Sequence, residues 1–437
     1  MSGSTAFYQV EPHDRIHGEL RVPGDKSVSH RAMMLGGIAE GITEVEGFLA
    51  SADCLSTLNA MRQMGVAIEQ SDAGRVRLTG VGLHGLQAPA GPLDMGNAGT
   101  AMRLSMGLLA GQGFDSVLVG DASLTRRPME RAAAPLRLMQ ARIDTTNGRP
   151  PVHLYGGQSL IGCEHDLQVA SAQVKSAILL AGLYAQGTTT VLEHAITRDH
   201  TERMLQAFGV PVAVTPGRVA LSSVSRLQAT RIEVPGDISS AAFFLVAGAL
   251  AATHGLIIRR VGMNPTRTGV VDILRAMGAD IRVHALPDAG REPVADLEVY
   301  ASELRGITIP EHLVPLAIDE FPVLFVAAAA AKGETLLRGA AELRVKESDR
   351  IAAMAEGLTR LGVEVEPYPD GLRIVGGPMS GGEIDSLGDH RIAMAFVIAS
   401  LRASGPLTIK DVENVGTSYP DFVPAARAVG LKVERHS

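Results

Sequence analysis

The chain has 437 residues, of which 46% are hydrophobic and 20% charged, a composition typical of a globular protein with two large domains. Its formal net charge of −7 argues against general nucleic-acid binding, which needs a basic surface. The two cysteines, Cys54 and Cys163, form neither a disulfide framework nor a zinc pattern, and they favour a cytoplasmic location.

Neither a targeting segment nor a membrane segment is predicted. Residues 1–10 lack the basic region followed by an apolar core that marks a signal peptide. Residues 238–258 carry no formal charge if His254 is neutral, and they are long enough to span a bilayer. They are also rich in Ala and Gly and resemble five other segments of the chain, so the sequence favours a buried core helix.

One kind of segment occurs six times, at intervals of about 70 residues. Each copy opens with small or charged polar residues and continues into an Ala-rich apolar stretch. The openings are marked by Asp25, Asn97, Ser171, Asp237, Asp319 and Asp389. A fixed period of this size predicts one supersecondary element used repeatedly.

Short strands and second helices are predicted between these segments. The β-like runs are, in chain order, 75–78, 116–119, 188–192, 256–259, 334–337 and 372–375. The second helices, each ending at a Gly suited to a C-cap, are 58–65, 204–209, 273–278 and 354–362. Six copies divide naturally into two domains of three, which we predict at residues 24–236 and at residues 1–23 plus 237–437.

The first opening has the features of an anion site. It places Lys26 at a helix start, with Ser27 and Arg31 on one face of that helix. Free N–H groups and the positive end of the helix dipole favour a phosphate or carboxylate there. A nucleotide P-loop is excluded because Asp25 stands where that motif needs Gly. A solvated first turn is the alternative interpretation.

Two further segments concentrate charge. Arg126 and Arg127 lie in a loop bounded by Gly and Pro, where they are either surface charges or a clamp on an anion. Lys346, Glu347 and Arg350 have the i,i+3 and i,i+4 spacing of one helix face. That spacing is typical of exposed ion pairs, or of an anion site with a carboxylate held beside it for proton transfer.

The fifth and sixth openings add an acid and a cation. Asp319 is either an N-cap or a general base. Arg391 indicates an anion at its helix start, whereas His390 is typical of a hydrogen-bonded structural residue. The sequence contains no HExxH, CxxC or nucleophile-elbow motif, so it predicts neither a metal site nor acyl-enzyme chemistry.

These motifs resemble those of the 5-enolpyruvylshikimate-3-phosphate synthase family along essentially the full length. The segments that carry the resemblance are 23–31, 96–103, 127–129, 171–173, 344–350 and 389–391. The resemblance implies transfer of the enolpyruvyl group of phosphoenolpyruvate to the 5-hydroxyl of shikimate 3-phosphate, with release of phosphate. It also implies an inside-out α/β fold of two domains, each with three βαβαββ repeats, and an active site in the cleft between them.

The same resemblance implies roles for individual residues. Phosphoenolpyruvate is expected to contact Lys26, Asn97, Gly99, Arg127, Gln173, Arg350 and Arg391. Shikimate 3-phosphate is expected to contact Lys26, Ser27, Arg31, Ser171, Ala172, Gln173, Arg198, Asp319 and Lys346. Asp319 would take the hydroxyl proton, Glu347 would exchange a proton with the enolpyruvyl methylene, and Lys26 completes the catalytic set. We expect a monomer without a cofactor or a nucleic-acid or membrane partner, with glyphosate as an inhibitor to be tested.

Some positions depart from the best-known bacterial pattern. Leu104, Ala172, His200 and Thr417 stand where Pro, Ser, Tyr and Lys are often found. Two alternatives remain. A UDP-N-acetylglucosamine enolpyruvyl transferase generally carries a Cys in the loop before its Arg-Pro pair, and residues 114–126 contain none. A non-catalytic phosphate- or RNA-end-binding protein would not need Asp319 and Glu347.

Overall fold

The computed structural model describes residues 6–71 and 74–437. Residues 1–5, which belong to the predicted second domain and to the segment examined for a signal peptide, lie outside the described residues. The helices in the described chain are α1 (Lys26–Gly37), α2 (Ala52–Gln63), α3 (Gly99–Ala110), α4 (Glu130–Leu138), α5 (Ala172–Gly182), α6 (His200–Ala207), α7 (Ile238–Ala251), α8 (Gly269–Ala276), α9 (Phe321–Ala330), α10 (Arg350–Arg360), α11 (His390–Ala399) and α12 (Phe422–Ala428).

Short strands alternate with these helices. They are β1 (Phe7–Glu11), β2 (Gly18–Arg21), β3 (Glu40–Glu46), β4 (Ala67–Gln70), β5 (Val76–Val81), β6 (Leu93–Asp94), β7 (Ser116–Val119), β8 (Arg142–Thr146), β9 (Arg149–Tyr155), β10 (Glu164–Leu167), β11 (Thr188–Glu193), β12 (Val212–Thr215), β13 (Arg218–Ser222), β14 (Arg231–Glu233), β15 (Leu256–Gly262), β16 (Asp280–Ala289), β17 (Glu292–Tyr300), β18 (Glu334–Leu337), β19 (Glu364–Tyr368), β20 (Gly371–Val375), β21 (Gly382–Asp385), β22 (Leu407–Lys410) and β23 (Lys432–His436). Each predicted β-like run falls on one of these strands.

The chain divides into two compact units. The first unit comprises residues 24–234 and 288–292, and the second comprises residues 6–23, 235–287 and 293–437. The predicted domains at 24–236 and at 1–23 plus 237–437 stay a prediction, because compactness alone does not show that either part folds independently.

The predicted α/β fold of βαβαββ repeats is confirmed. In one repeat, β6 pairs in parallel with β7, β7 pairs antiparallel with β9, and β9 pairs antiparallel with β8. The described strands form six sheets, and the sheet β10-β11-β13-β12 repeats this order. The sheet β18-β20-β19 has three strands, and a bridge between Thr308 and Leu336 stands in place of its first strand.

Some sheets are completed by strands distant in sequence. In the first unit, β14 pairs in parallel with β3, although about 185 residues separate them. In the second unit, β2 pairs in parallel with β15, and β1 lies between β22 and β23. The N-terminal strands therefore complete sheets whose other strands lie far along the chain.

The fold is inside-out because its apolar helices, rather than its sheets, form the centre of each unit. Every residue of α7 and of α11 is buried, as expected for helices that are apolar on all faces. Strands such as β9 instead alternate buried and more accessible residues. Among the described residues, no helix combines the length and apolar character needed to cross a membrane, and residues 238–258 form α7 followed by β15.

Close helix contact in the first unit depends on Gly107 of α3. A Cβ atom at Gly107 would lie 2.0 Å from the carbonyl oxygen of Ala177 in α5. That distance is far below van der Waals contact, so a side chain there would force the two helices apart.

We predict that Gly107→Ala destabilises the protein by about 1–3 kcal/mol, because the added methyl group overpacks the contact between α3 and α5. Chemical denaturation measures the change. Gly113→Ala is the matched control, since a Cβ there would meet no atom within 4 Å. Equal stability of the two variants would contradict the predicted contact.

Candidate functional site

The first repeat presents Lys26 at the start of α1. Asp25 caps this helix by accepting a hydrogen bond from the backbone N–H of Val28 at 2.9 Å. The Lys26 Nζ atom lies 2.9 Å from Oδ2 of Asp53, which belongs to the first turn of α2. Asp53 therefore fixes the ammonium group beside the free N–H groups of the helix start.

Arg31 lies on the same face of α1 as Ser27, as predicted. Its Nη1 atom donates to the Ser27 carbonyl oxygen at 3.0 Å, its Nε to Thr201 at 2.7 Å and its Nη2 to Ser176 at 2.7 Å. The pKa of the Arg31 guanidinium is lowered to about 10, mainly because the group is buried. The negative charge of Glu202 opposes this decrease, and the positive charge of Arg198 adds to it. Arg31 and the predicted ligand Arg198 therefore act on the same region of the first unit.

The second repeat brings Asn97, Gly99 and Arg127 together. Arg127 donates through Nη2 to the side-chain oxygen of Asn97, and Asn97 donates to Asp121 at 2.7 Å. A Cβ atom at Gly99 would lie 3.1 Å from Nη1 of Arg127 and 3.2 Å from Nη1 of Arg103. The absence of a side chain at Gly99 thus leaves room for two guanidinium groups at the start of α3.

Gln173 links the second repeat to the third. Its side-chain oxygen accepts from Nη1 of Arg103 at 2.6 Å, and its nitrogen donates to Thr100 at 2.9 Å. Ser171 caps α5 by accepting from the Val174 N–H at 3.4 Å, and Ala172 is the first residue of that helix. The openings of α3 and α5 are therefore joined by side-chain hydrogen bonds within the first unit.

The second unit holds a separate cluster centred on Arg350, which is only 1% exposed. Its Nε lies 2.8 Å from Oδ2 of Asp389, its Nη2 2.6 Å from Oε2 of Glu347, and its Nη1 3.3 Å from Oδ1 of Asp319. Burial lowers the pKa of Arg350, but Asp389, Glu347 and Asp319 outweigh that effect and raise it. Arg350 therefore stays charged and holds two predicted proton-transfer groups in place.

The prediction that Lys346, Glu347 and Arg350 share one helix face is wrong. Helix α10 begins only at Arg350, with Asp349 as its N-cap, and Lys346 has an extended backbone. Glu347 still reaches Arg350 because the loop before the helix folds back on the helix start. Lys346 lies 3.4 Å from Oδ1 of Asp319, a contact between segments that local spacing does not reveal.

Asp319 does not cap α9, because Glu320 occupies the N-cap position. Its carboxylate instead lies between Lys346 and Arg350, and its role as a general base stays a prediction. Arg391, at the start of α11, has a backbone N–H bonded to Asp389 at 2.9 Å. In the described part of the chain, no residue accepts a hydrogen bond from the Arg391 guanidinium, so its donors are available to a ligand.

His390 lies 3.0 Å from the Ser418 hydroxyl, which agrees with the structural interpretation. His200 lies 2.8 Å from Oε1 of Glu292, and both side chains are buried. Thr417 ends a short 3₁₀ helix and donates to the Asn414 carbonyl at 2.7 Å. Two of the positions that depart from the expected pattern therefore have defined local partners.

Three residues that contact predicted site residues are not themselves predicted by the sequence pattern: Asp53, Arg103 and Asp389. Asp389 was used only to mark a helix opening, although it is fully buried against Arg350. Asp53 lies in the first turn of α2, and Arg103 is a single cation among apolar residues of α3. Only their partners Lys26 and Gln173, 27 and 70 residues away, distinguish them.

Each unit therefore carries one set of functional groups. The first-unit set contains the cations Lys26, Arg31, Arg103, Arg127 and Arg198 together with amide and hydroxyl groups. The second-unit set combines the cations Lys346, Arg350 and Arg391 with the carboxylates Asp319, Glu347 and Asp389. Guanidinium and ammonium groups at helix starts can bind phosphate and carboxylate. Among the described residues, no cluster of three metal-ligating side chains occurs.

Comparison with known proteins identifies a family. The family described as EPSP synthase (3-phosphoshikimate 1-carboxyvinyltransferase) matches residues 10–425. A 3-phosphoshikimate 1-carboxyvinyltransferase of Methylococcus capsulatus is 60% identical over 435 residues, which cover 99% of this chain and 100% of that protein.

Solved structures agree with this match. The EPSP synthase of Acinetobacter baumannii superposes with a TM-score of 0.89 at 54% identity, covering 99% of this chain and 100% of that one. The enolpyruvyl transferase NikO of Streptomyces tendae gives a TM-score of 0.78 at 18% identity over 99% of both chains. At that lower identity the likeness shows a shared fold only.

The site geometry also predicts a pH dependence of stability. Burial, together with the charges of Lys26 and Arg31, lowers the pKa of His30 to about 3. As the pH falls below about 6.5, the unfolded chain binds a proton that the folded protein does not. His30 therefore destabilises the fold progressively as pH falls from about 6.5 towards 3, by about 1.4 kcal/mol per pH unit.

We predict that His30→Gln removes this contribution, so that its unfolding free energy falls less steeply than that of the wild type between about pH 6 and pH 4.5. Urea denaturation across this range measures both slopes. His194→Gln, at an exposed histidine of the same unit, serves as the control and should retain the wild-type slope. A wild-type slope in His30→Gln would refute the prediction.

Proposed function

The chain belongs to the EPSP synthase (3-phosphoshikimate 1-carboxyvinyltransferase) family, and we infer that it transfers the enolpyruvyl group of phosphoenolpyruvate to shikimate 3-phosphate. The products are 5-enolpyruvylshikimate 3-phosphate and phosphate. The observation that carries this inference is the pair Asp319 and Glu347, two carboxylates held on the single buried guanidinium of Arg350. A reaction that moves one proton from an oxygen and another to and from a carbon needs two such groups.

We propose that the first-unit set binds most of the substrate charge. Lys26, Asn97, Gly99, Arg127 and Gln173 are assigned to phosphoenolpyruvate. The assignment is supported by the hydrogen bond from Arg127 to Asn97 and by the space beside Gly99, which both Arg103 and Arg127 adjoin. Arg350 and Arg391 of the second unit complete it.

Shikimate 3-phosphate is assigned to the openings of α1 and α5. The residues are Lys26, Ser27, Arg31, Ser171, Ala172, Gln173 and Arg198, with Asp319 and Lys346 from the second unit. Support comes from Arg31, whose three hydrogen bonds hold its guanidinium in one orientation. A guanidinium fixed in this way loses little further entropy when an anion binds.

We propose that the reaction proceeds by addition and elimination. In the addition, Asp319 takes the proton of the 5-hydroxyl as its oxygen bonds to C2 of phosphoenolpyruvate, and Glu347 gives a proton to C3. Glu347 must therefore be protonated when phosphoenolpyruvate binds. In the elimination, the bond between C2 and the phosphate oxygen breaks, Glu347 takes a proton back from C3 to restore the double bond, and the proton held by Asp319 passes to the departing phosphate. The nearby cations offset the charge on the departing phosphate.

The alternative acceptor, UDP-N-acetylglucosamine, has no specific support. Residues 114–126 contain no cysteine, and the similarity to NikO extends only to the fold. A non-catalytic binding protein would not need the carboxylates of Asp319 and Glu347 held beside Arg350. We also propose that the enzyme acts as a cytoplasmic monomer, and its two free cysteines support the cytoplasmic location.

The wild-type protein is expected to release phosphate when phosphoenolpyruvate and shikimate 3-phosphate are both present. Phosphate detection during turnover measures this activity. UDP-N-acetylglucosamine serves as the competing acceptor. Turnover with that acceptor alone would overturn the assignment, and inactivity with both acceptors would favour the binding-protein interpretation.

Asp319→Ala and Lys26→Ala are expected to differ in whether they still bind the substrates. Asp319→Ala should bind both substrates and lose turnover by about 10²–10⁴-fold, the range of a missing general base. Lys26→Ala should lose binding as well, because its ammonium group carries charge for both ligands. Isothermal calorimetry and phosphate release separate the two effects, and near-normal turnover of Asp319→Ala would remove it as the base.

Gly99→Ala is expected to raise the KM for phosphoenolpyruvate by about tenfold with a smaller effect on kcat. Its methyl group would lie 3.1 Å from Arg127 and 3.2 Å from Arg103, so at least one guanidinium must shift. Gly91→Ala is the control, because a Cβ there meets no atom within 4 Å. An unchanged KM for phosphoenolpyruvate would argue against placing this ligand at the start of α3.

A further inference from the structure

A second buried charge cluster lies next to Asp319, and no step of the proposed reaction uses it. Its centre is Glu320, which is 1% exposed and adjoins Asp319 in the chain. The Oε1 atom of Glu320 accepts a hydrogen bond from the Ser239 hydroxyl and lies 3.9 Å from Nη2 of Arg267. The Oε2 atom of Glu320 accepts no hydrogen bond within the described chain, so Ser239 and Arg267 both act on Oε1.

Arg267 is held in place from two directions. It is 2% exposed, and its Nη2 atom lies 2.7 Å from the Ser239 hydroxyl and 3.2 Å from Oδ1 of Asp237. Its backbone N–H donates to the carbonyl oxygen of Asn264 at 2.8 Å. The Asn264 side chain in turn accepts from the N–H of Thr266 at 2.9 Å, which closes a tight turn before Arg267.

The cluster connects the starts of two helices of the second unit. Asp237 is the N-cap of α7 and accepts from the Ser239 N–H at 2.9 Å. Glu320 is the N-cap of α9. The opening at Asp237 contains no cation of its own, but the Arg267 guanidinium lies beside it. The same guanidinium lies near Glu320, at the start of α9.

The backbone transmits this constraint to Asp319. The Glu320 N–H donates to the Ala317 carbonyl at 3.0 Å, and the Glu320 carbonyl accepts from the Leu324 N–H at 3.1 Å. With its side chain also held, Glu320 has little freedom to rotate. Asp319 is one peptide bond away, and its carboxylate lies beside Lys346 and Arg350.

Stability alone is a weak reason for such a pair. A buried ion pair recovers little more than the cost of removing its charges from water, and apolar residues of similar volume often stabilise a protein equally well. Buried polar groups can instead serve to hold neighbouring groups in one geometry. A displacement of about 1 Å at a reacting group can cost about a hundredfold in rate, so precise placement of a base has a large effect.

We propose that Glu320 and Arg267 form a positioning pair for the proton-accepting carboxylate of Asp319. The inference rests on the proposed function, since it takes Asp319 as the base. Glu320 touches neither substrate in this assignment. It acts through the backbone of residue 319 and through the fixed start of α9, and Ser239 links the two partners.

The central variant is Glu320→Gln, which keeps the shape and the hydrogen bond from Ser239 but removes the charge that faces Arg267. We expect kcat to fall by about tenfold to a hundredfold, with the KM values of both substrates unchanged. Ser239→Ala, a milder change in the same cluster, should lower kcat in the same way and by a smaller factor. Unchanged kcat in both variants would overturn the proposal.

Phe325→Leu is the matched control for stability. Phe325 is a buried residue of α9, and shortening it destabilises the same helix without touching the cluster. It should lower the melting temperature but leave kcat at the wild-type value. If Phe325→Leu reduces kcat as much as Glu320→Gln does at equal stability, the effect is a general loosening of α9 and the proposal fails.

A double-mutant cycle tests whether Glu320 acts through Asp319. In the Asp319→Ala background, Glu320→Gln should cause no further loss of kcat, because the group that it positions is already absent. Additive losses would contradict the proposal. A wild-type protein without turnover would instead refute the proposed function, so the two failures are distinguishable.

Discussion

Helices α7 and α11 are enclosed by apolar neighbours on every side, and this enclosure constrains where the protein can place chemistry. A helix buried all round has no polar face, so its charged groups can lie only at its ends. The helix start is the favourable end for anions because of its free N–H groups and its dipole. Asp319, Arg391 and the Glu320–Arg267 pair all lie at such starts, and the first unit repeats the arrangement with Lys26 and Gln173.

The two sets of groups differ in the charges that they supply. The first-unit set supplies five cations, which are Lys26, Arg31, Arg103, Arg127 and Arg198, although Arg31 also lies near the carboxylate of Glu202. In the second-unit set, three cations face three carboxylates, Asp319, Glu347 and Asp389. We propose that the first set neutralises the phosphate and carboxylate groups of the substrates. The second set contains Asp319 and Glu347, the carboxylates that we assign to proton transfer, and Arg350 holds both of them.

Sequence reasoning reached the repeat, the helix starts and the fold class, because each depends on local residue order. The opening at Lys26, Ser27 and Arg31 could be placed on one helix face from spacing alone. The same argument failed at Lys346, where the chain is extended and helix α10 starts four residues later. Contacts such as Lys26 with Asp53, or Arg267 with Glu320, join residues that are 27 and 53 positions apart in the sequence. Only the packing of the repeats decides such pairs, and no local pattern encodes them.

The position of β1 has a consequence for synthesis. Strand β1 pairs on one side with β22 and on the other with β23. Its sheet therefore cannot be completed until the last described strand has left the ribosome. The sheet around β3 needs no strand beyond β14, and every strand of the three first-unit sheets precedes β15 in the chain. All of these strands therefore leave the ribosome before β22 and β23 are available to pair with β1.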